Sequence, residues 1–344
     1  MTTTESAPGE SGTLPPGRPP GRRGAVSTLV ARSADRIALP VVWVAIIVLF
    51  GVLRPDTFLT TGNFSAMFSS QTSLLVLALA LTIPLTAGDY DLSVGSVASL
   101  SAMLIGILNV QLGVPVAWAV LVALAVATLI GVANAVLSIA VGVDTLIVTL
   151  GMGTFVQGIV SWTGNDSTVT GISAELVRVV VQARFLGIPV EFWYGIVLCA
   201  VLFYVMEFTP LGRRLLIVGR GREVARLSGV RVRLVRGGAL VSSAFLAGLA
   251  GVLIAGTSGA ADQTSAPLLL LPAFAAAFLG ATTIMPGRFN SWGVLVAVLF
   301  LVTGITGLQQ LGARPFVQNL FYGAALIVAV VLSFAVRSRR RKAA

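Results

Sequence analysis

The sequence predicts an all-α polytopic membrane protein, and three observations lead to that prediction. Hydrophobic residues make up 56% of the 344 residues and charged residues only 10%, whereas soluble globular domains carry about 25% charged residues. The mean hydropathy is +0.96. The apolar residues also fall into runs of about 20, the length that an α-helix needs to cross a hydrocarbon core about 30 Å thick.

Ten runs are predicted to cross the membrane. Their approximate bounds are 37–53, 66–87, 92–110, 115–140, 145–162, 191–209, 237–257, 267–285, 291–310 and 315–336. The least defined boundary is 88–91, where Gly-Asp-Tyr-Asp interrupts an otherwise continuous apolar stretch. The predicted domains are therefore a tail over 1–36, a membrane domain over 37–336 and a short basic tail over 337–344.

The basic residues predict that both termini lie in the cytoplasm. With ten spans, the segments 1–36, 210–236, 286–290 and 337–344 fall on the same side and hold 19 of the 23 basic residues. The other side holds four: Arg54, Arg178, Arg184 and Arg314. Since cytoplasmic loops carry an excess of Lys and Arg, this side is predicted to be cytoplasmic. Removing one span would reverse every later segment and destroy the bias.

The ends of the membrane domain have different compositions. Residues 1–24 are rich in Pro, Gly, Ser and Thr, and the tail over 1–36 is predicted to be disordered. It does not resemble a secretory signal, because the first apolar run begins only near Ile37. On the outer side, 163–190 is the longest connection. Its Ser173–Arg184 stretch is compatible with an interfacial helix capped by Ser173 or with a strand.

Several kinds of chemistry lack the residues that they need. The sequence contains no His and a single Cys, Cys199, so His metal sites and an internal disulfide are excluded. The only lysine, Lys342, lies outside any phosphate-binding GxxxxGK[ST] motif, and the chain is expected to bind no ATP or other cofactor itself. No catalytic or metal-binding residue is predicted, which disfavours a membrane-embedded enzyme. The basic residues lack the aromatic interleaving of a nucleic-acid-binding surface.

The acids near the spans, among them Asp89, Asp144 and Glu207, fall at predicted span ends. An ion-coupled carrier usually needs a carboxylate at mid-depth, so a single-chain secondary transporter or exchanger is the less favoured alternative. The spans instead contain neutral polar side chains, of which the candidate pathway residues are Gln71, Asn134, Thr149 and Gln157. Such groups exchange hydrogen bonds with a neutral hydroxylated solute, and they equally stabilise contacts between helices.

The interruption near residue 88 predicts a special structure. Pro84 is expected to open or kink the end of the second span. The following residues are typical of a helix start, with Asp91 near its positive end and then Ser93, Gly95 and Ser96. Irregular backbone at this depth is tolerated where it is buried in protein or lines a cavity.

The segment 211–236 is the most basic part of the chain, with eight arginines and one acid, Glu223. Glycines divide it into two helix-length runs, and 222–228 is rich in good helix formers. The pattern predicts a pair of short cytoplasmic helices offered to a partner. A solvated basic loop that only follows the positive-inside bias is the alternative.

Three stretches resemble the membrane permease subunits of ribose-type ATP-binding-cassette importers. TAGDYDLSVGSVASLSA, residues 86–102, is similar to the family's TGGIDLSVGS-like signature. DTLIVTLGMGTFVQGI, residues 144–159, resembles its PxFIVTLGT-like span, and 212–230 follows a G-R-x(5)-G-x(5)-A-R-L-S-G-V pattern. A weaker fourth match is LGATTIMPGRFNSWGVL, residues 279–295.

The resemblance implies a function and a set of partners. It implies a multi-pass permease of the bacterial plasma membrane that imports a monosaccharide or similar neutral solute. Two copies would form the pathway in membrane lipid, cytoplasmic ATPase subunits would drive it, and an extracytoplasmic solute-binding protein would deliver the solute. The residues implied to couple to the ATPase are Gly212, Arg213, Glu223, Ala225, Ser228, Gly229 and Val230.

Two departures from the family pattern stand out. Asp89 and Tyr90 replace small or aliphatic residues, and Pro286 with Phe289-Asn290 replaces glycines in the fourth match. Spans 2–5 and 7–10 are candidates for an inverted-topology repeat, although their sequences show no clear similarity.

Overall fold

A computed structural model describes the backbone of residues 22–342 and the side chains of residues 36–334. Almost all of this part is helical. The helices are α1 (Arg22–Leu53), α2 (Pro55–Phe58), α3 (Thr61–Ser70), α4 (Thr72–Ala87), α5 (Val94–Gly106), α6 (Val116–Ala135), α7 (Thr145–Gly164), α8 (Ala174–Val177), α9 (Val190–Phe208), α10 (Pro210–Arg220), α11 (Arg222–Leu227), α12 (Val232–Ser258), α13 (Ser265–Leu268), α14 (Leu270–Gly280), α15 (Ser291–Gln310) and α16 (Pro315–Lys342).

Three helices continue into a π-helical turn, and four two-residue strands complete the structure. The π-helical turns are Ile107–Gln111 after α5, Val136–Ala140 after α6 and Arg178–Gln182 after α8. The strands are β1 (Val169–Thr170), β2 (Arg184–Phe185), β3 (Ile188–Pro189) and β4 (Ala260–Ala261), with β1 antiparallel to β4 and β2 antiparallel to β3. The outer connection therefore contains the helical alternative. Its α8 begins after Ser173, whose Oγ accepts a hydrogen bond from the Glu175 amide.

Nine helical segments within the described residues are long and apolar enough to cross a membrane. They are Arg36–Leu53, Thr61–Ala87, Val94–Gln111, Val116–Ala140, Thr145–Gly164, Val190–Phe208, Val232–Ser258, Ser291–Gln310 and Pro315–Phe334. Each corresponds to one of the ten predicted spans. The class of all-α polytopic membrane protein is confirmed.

The predicted eighth span, 267–285, differs from the structure. Its helical part is Ser265–Gly280, which is shorter than the others and is divided into α13 and α14 at Leu269. The last five predicted residues form turns. Hydropathy identified the apolar run but not the break at Leu269, because the hydrophobicity of a segment does not determine where its backbone changes direction.

The predicted inner segments lie together at one end of the bundle. Thr283 Oγ1 donates to the carbonyl oxygen of Arg36 over 2.8 Å, and the Arg288 guanidinium contacts Glu207 at 2.8 Å. The loop 281–290 therefore lies beside the predicted inner ends of α1 and α9. The segment Ser265–Gly280 therefore ends beside these predicted inner ends.

The predicted outer segments lie together at the other end. Gln310, at the end of α15, donates to Asn63 over 2.9 Å. The Ser173 amide donates to Asn109 Oδ1 over 2.8 Å, and β1 pairs with β4. These contacts join connections that are far apart in sequence.

Helix α12 is the centre of the bundle and packs against α4, α5 and α6. Small residues allow the close approach. A Cβ on Gly251 would overlap the Ala98 carbonyl of α5, and one on Gly248 would lie 2.7 Å from the Ala127 Cβ of α6. Burial of the α4 side chains is nearly complete. The helices of this core fix the positions of the breaks described next.

The predicted tails have only partial descriptions. Residues 1–21 of the 1–36 tail lie outside the described residues, and 22–36 belong to α1. Most of the predicted 337–344 tail is backbone of α16, and its last two residues are outside the described part.

Candidate functional site: two breaks and a basic helical pair

The first break connects α4 to α5 through residues 88–93. Pro84 lies in the last turn of α4, and Gly88 ends the helix in the left-handed region at φ 80°. A side chain is strained in that conformation, and glycine is not. The predicted opening of this span is therefore present, with six residues of non-helical backbone before Val94.

Asp91 lies in this break and is buried. Its Oδ1 accepts from the Ser93 amide at 3.0 Å and from Ser93 Oγ at 2.6 Å. Asn134 of α6, also buried, donates from Nδ2 to Ser93 Oγ over 2.9 Å. The structure thus brings one predicted pathway residue onto the predicted signature segment.

The Ser243 hydroxyl of α12 also lies within hydrogen-bonding reach of the Asp91 carboxylate. Asn134 Oδ1 is buried with no hydrogen-bond partner in the described part of the chain. Burying polar atoms unpaired is unfavourable by about 1–3 kcal/mol each. Asn134 Oδ1 is therefore an acceptor beside the first break that is open to a water molecule or a hydroxyl group.

Thr149 of α7 holds the other side of the same break. The Leu92 amide donates to Thr149 Oγ1 over 3.1 Å. One turn further along α7, a Cβ on Gly153 would lie 3.3 Å from the Leu92 carbonyl and 3.7 Å from Ser96 Oγ. Helices α6 and α7 therefore position the break through side chains that the sequence singled out.

The second break connects α12 to α14 through residues 259–269. After β4, the chain turns back into the bundle. The carbonyl oxygen of Asp262 accepts from Ser99 Oγ at 3.3 Å, and a Cβ on Gly95 would lie 3.1 Å from the Pro267 Cα. The two breaks therefore meet at Gly95.

Gln157 binds the second break and not the first. Its Nε2 donates to the Gln263 carbonyl oxygen over 2.8 Å, and Ser161 Oγ, one turn later, donates to Gln263 Oε1 over 2.6 Å. Gln157 Oε1 is buried without a partner among the described residues. Sequence reasoning selected Gln157 but missed Gln263, which lies in what was predicted to be a loop.

Gln71 lies apart from this region. It connects α3 to α4, on the outer half of the bundle, and its Nε2 contacts only the neighbouring Ser70 over 3.4 Å. The structure does not bring Gln71 together with Asn134, Thr149 or Gln157.

Glu191, which sequence reasoning passed over, is the most buried glutamate in the described part of the chain. It lies in the first turn of α9, where its oxygens accept from Ser69 Oγ and, at 2.7 Å, from Thr257 Oγ1. This carboxyl ties α3, α9 and α12 together. The signal was weak, because an acid beside Pro189 is equally typical of an exposed helix start.

The predicted pair of short helices is present as α10 and α11, separated at Gly221. Helix α10 docks on the membrane domain through two glycines. A Cβ on Gly212 would overlap the backbone of Met206 at the end of α9, and one on Gly219 would overlap the carbonyl oxygen of Thr86 at the end of α4. Backbone therefore lies directly on backbone at both positions.

Helix α11 ends in a turn that uses the predicted coupling residues. Ala225 is buried, Ser228 Oγ donates to the Val224 carbonyl over 2.9 Å, and the Val230 amide donates to the Ala225 carbonyl over 3.0 Å. Gly229 lies between them at φ 77°.

No atom of the described chain lies within 4 Å of a Cβ on Gly229. Within this chain, glycine is therefore favoured at position 229 by its positive φ and not by close packing. The remaining predicted coupling residues lie on the outer surface of the pair, with Arg213 exposed and Glu223 in an exposed ion pair with Arg226 at 3.0 Å.

Asp89 connects the basic segment to the first break. Its side chain is 1% exposed and accepts from Arg236 Nε at 2.7 Å, Arg222 Nη2 at 2.9 Å and Thr145 Oγ1 at 3.0 Å. Arg222 also donates to the Gly88 carbonyl over 3.2 Å. We call Asp89, Thr145, Arg222 and Arg236 the Asp89 clamp.

The Asp89 clamp explains why an acid stands at position 89, where the family pattern has a small or aliphatic residue. The sequence alone did not explain this departure. Asp89 is an extra acid beside Asp91, and nothing in its spacing indicates a partner 133 or 147 residues away. The clamp fastens the ends of α4, α7 and α12 to the start of α11. Within the described residues there is no cluster of three or more Cys, Asp or Glu side chains that could hold a metal.

Comparison with known proteins shows which family the sequence matches. Residues 63–330 match the family model described as branched-chain amino acid transport system / permease component. The L-arabinose ABC transporter permease protein AraH of Azospirillum brasilense is 30% identical over 346 residues, covering 99% of this chain and 98% of AraH.

Two further relatives are named for other solutes. The ribose import permease protein RbsC of Haemophilus influenzae is 28% identical over 295 residues, covering 84% of this chain and 91% of RbsC. The autoinducer 2 import system permease protein LsrD of Salmonella paratyphi A is 28% identical over 310 residues, covering 87% of this chain and 91% of LsrD.

Proposed function

Because the chain belongs to the family of transport-system permease components that includes sugar importers of the ATP-binding-cassette type, we propose that it is the permease subunit of an ATP-driven importer for a monosaccharide or similar neutral solute. It is a multi-pass protein of the bacterial plasma membrane. In this proposal, two copies form the translocation pathway. Separate ATPase subunits supply the energy, and an extracytoplasmic binding protein delivers the solute.

The helical pair α10–α11 carries this proposal. It lies at the end of the bundle where the basic segments gather, yet it exposes apolar side chains among its arginines. Leu227 is 83% exposed, and Val224 and Leu211 are also exposed. Large apolar side chains clustered on an aqueous surface are typical of a protein–protein contact. A basic loop that only followed the positive-inside bias would have no need of them.

The way in which the pair is held supports a mechanical role. Gly219 rests on the end of α4, and the Asp89 clamp joins the pair to the residues just before Asp91. Displacement of α11 by an ATPase would therefore pull on the first break. Gly212, Arg213, Glu223, Ala225, Ser228, Gly229 and Val230 are proposed to shape or contact the ATPase surface.

The pathway is proposed to pass the polar groups of the two breaks. Asp91, Ser93, Gly95 and Ser96 would form its gate, with Asn134, Thr149 and Gln157 beside it. Gln71 would contact solute only nearer the outer end. No covalent chemistry is assigned to this chain, and ATP would be bound by the partner subunit.

The domain limits and topology are part of the proposal. The segments 1–36 and 337–344 are proposed to be cytoplasmic tails on either side of the membrane domain 37–336, which contains the coupling loop 210–236. The neutral polar character of the pathway favours uncharged sugars and related hydroxylated compounds.

Co-purification with the ATPase subunit tests this function. The chain is co-expressed with an ATPase subunit of a sugar importer from the same genome, and the tagged permease is isolated. We expect the ATPase to be retained, and Leu227→Asp to reduce its retention at least tenfold, because the exposed apolar contact would be lost. Leu186→Asp, at an equally exposed apolar residue of the opposite end, is the matched control.

The same preparation separates the two classes of transporter. Reconstituted with its ATPase, the chain should accumulate solute only when ATP is present. Accumulation by the chain alone down an ion gradient would instead establish the secondary transporter, and the proposed function would be wrong.

A further inference from the structure

The second break extends from the outer end of the bundle into the membrane domain, although the sequence places it in a surface loop. The Asp262 carbonyl contacts Ser99, and Ser99 lies twelve residues before the outer end of its helix at Gln111. At 1.5 Å per residue this depth is about 18 Å, in a hydrocarbon core about 30 Å thick. Gln157, which binds Gln263, is about 10 Å from the outer end of α7 at Gly164 by the same measure.

The side chains of this break are polar and reach the surface of the single chain. Thr264 and Ser265 are exposed, and the Asp262 carboxylate beside them is partly exposed. Exposure of irregular backbone and polar side chains to lipid is strongly unfavourable, so such segments occur only where they are buried in protein or line a water-filled cavity. This surface therefore faces water or another protein surface, and not lipid.

We propose that residues 262–265 and Gln157 line an aqueous chamber that opens from the outer end of the bundle into the membrane domain, and that the chamber takes a neutral polyhydroxylated solute. The inference rests on the proposed function, which it deepens by assigning the second break as a wall of the pathway. A second copy of the chain covering the same surface is the alternative that the experiment below separates.

The groups present suit hydroxyls better than ions. Asp262 Oδ1 already accepts from the Thr264 and Ser265 amides at 2.8 and 2.7 Å, and Oδ2 accepts from Ser265 Oγ at 2.6 Å. The acid is thus satisfied by its own segment. Gln157 Oε1, in contrast, is buried with no partner among the described residues, so it can accept from a solute hydroxyl only when the second break moves to expose it.

The arrangement of the two breaks supports the same position. The first break follows the second predicted span, and the second break follows the seventh. Interrupted helices mark the solute site in many transporters. Here the two breaks meet, because Gly95 leaves room for the backbone at Ala266 and Pro267.

Cysteine accessibility in the assembled transporter tests the chamber. The only native cysteine, Cys199, is buried and is replaced by Ser to give a silent background. Thr264→Cys and Ser265→Cys are then labelled in proteoliposomes by a charged methanethiosulfonate that cannot enter lipid. Phe155→Cys is the matched control, since Phe155 is 66% exposed, apolar and two residues from Gln157 on α7.

We expect T264C and S265C to react at least tenfold faster than F155C. D-ribose or L-arabinose at high concentration should slow that reaction, whereas sodium chloride of equal osmolarity should not. Labelling as slow as that of F155C would overturn the chamber, because lipid or a closely packed second copy would then cover this surface. Fast labelling that neither pentose slows would overturn the assigned solute class.

These results are independent of the ATPase. The labelling rates can be measured in proteoliposomes whether or not ATP drives uptake. Fast, pentose-protected labelling of a chain that fails to bind an ATPase would contradict the proposed coupling but support the chamber.

Discussion

Asp89 accepts the most buried ion pairs in the described part of the chain. Its carboxylate is nearly inaccessible, and Arg236 beside it is only 14% exposed. Two buried charges are stabilised chiefly by one another, so removing one leaves the other unpaired at about 3–5 kcal/mol. Arg222 is half exposed and recovers part of this energy from water.

Replacing Asp89 with Asn therefore has two expected effects. The free energy of unfolding should fall, by less than the buried-pair value because Arg222 remains solvated. ATP-driven uptake should fall at least tenfold relative to ATP hydrolysis, because α11 would no longer be fastened to the first break. Thermal unfolding in detergent and the ratio of solute moved to ATP hydrolysed measure the two effects.

Two comparisons make the Asp89 result specific. Asp89→Glu keeps the charge and should recover part of the transport ratio. Glu223→Gln removes an exposed ion pair of the same loop, and exposed pairs contribute about 0–1 kcal/mol, so the melting temperature should barely change. An unchanged transport ratio in Asp89→Asn would show that the clamp is only structural.

Gly219 is one of the two glycines through which helix α10 docks on the membrane domain, and it is the one that contacts α4. A Cβ on Gly219 would overlap the Thr86 carbonyl oxygen, which is backbone and cannot rotate away. Gly219→Ala should therefore displace α10 from the end of α4, destabilise the protein and reduce uptake. The effect should exceed the small gain in helix propensity of Ala over Gly, about 1 kcal/mol.

Gly238→Ala is the matched control for that helix-scale prediction. Gly238 lies inside α12, near the same end of the bundle, and nothing lies within 4 Å of an added Cβ. It should raise the melting temperature slightly and leave uptake as in the unmodified chain. If Gly219→Ala behaved in the same way, the direct contact between α10 and α4 would be absent in the working protein.

The helices show what sequence can and cannot establish at this scale. Nine spans agree with their hydrophobic runs, because a run of about 20 apolar residues has few other stable structures. The division at 265–269 does not follow from hydropathy, since Ala266, Pro267 and the leucines after them are as apolar as a straight span. Only contacts with α5, far away in sequence, determine that this segment turns inward.

Part of the candidate site was also predictable from the sequence. Asn134, Thr149 and Gln157 were selected because polar side chains are rare and costly in spans. Their partners Ser93, Leu92 and Gln263 follow from the packing of α5, α6, α7 and the second break. Asp262 lies between the end of α12 and the start of α13, and its carboxylate is satisfied by hydrogen bonds from its own segment.

At the scale of the whole molecule, the two ends of the bundle differ in charge. The end with Arg222 and Arg236 is proposed to be cytoplasmic, and the end with β1 and β4 external. In the Cys199→Ser background, Leu227→Cys should react with an impermeant maleimide only in inside-out vesicles. Leu186→Cys should react only in right-side-out vesicles, and each variant is the control for the other.

The opposite pattern of labelling would reverse the topology. The basic pair could not then reach a cytoplasmic ATPase, and the proposed coupling would be wrong. Reaction of both variants in the same vesicle orientation would contradict the number of crossings between residues 186 and 227.

Helix α12 has a length with a mechanical consequence. It extends without interruption for 27 residues, about 40 Å at 1.5 Å per residue, which is longer than the hydrocarbon core. Arg236, near the first residues of α12, is part of the Asp89 clamp, and the other end of α12 leads into β4. If the helix moves as a rigid rod of about 40 Å, a tilt of about 5° about its base displaces its far end by about 3.5 Å, comparable to the width of a water molecule. A small movement of the Asp89 clamp would therefore displace the opposite end of the bundle directly.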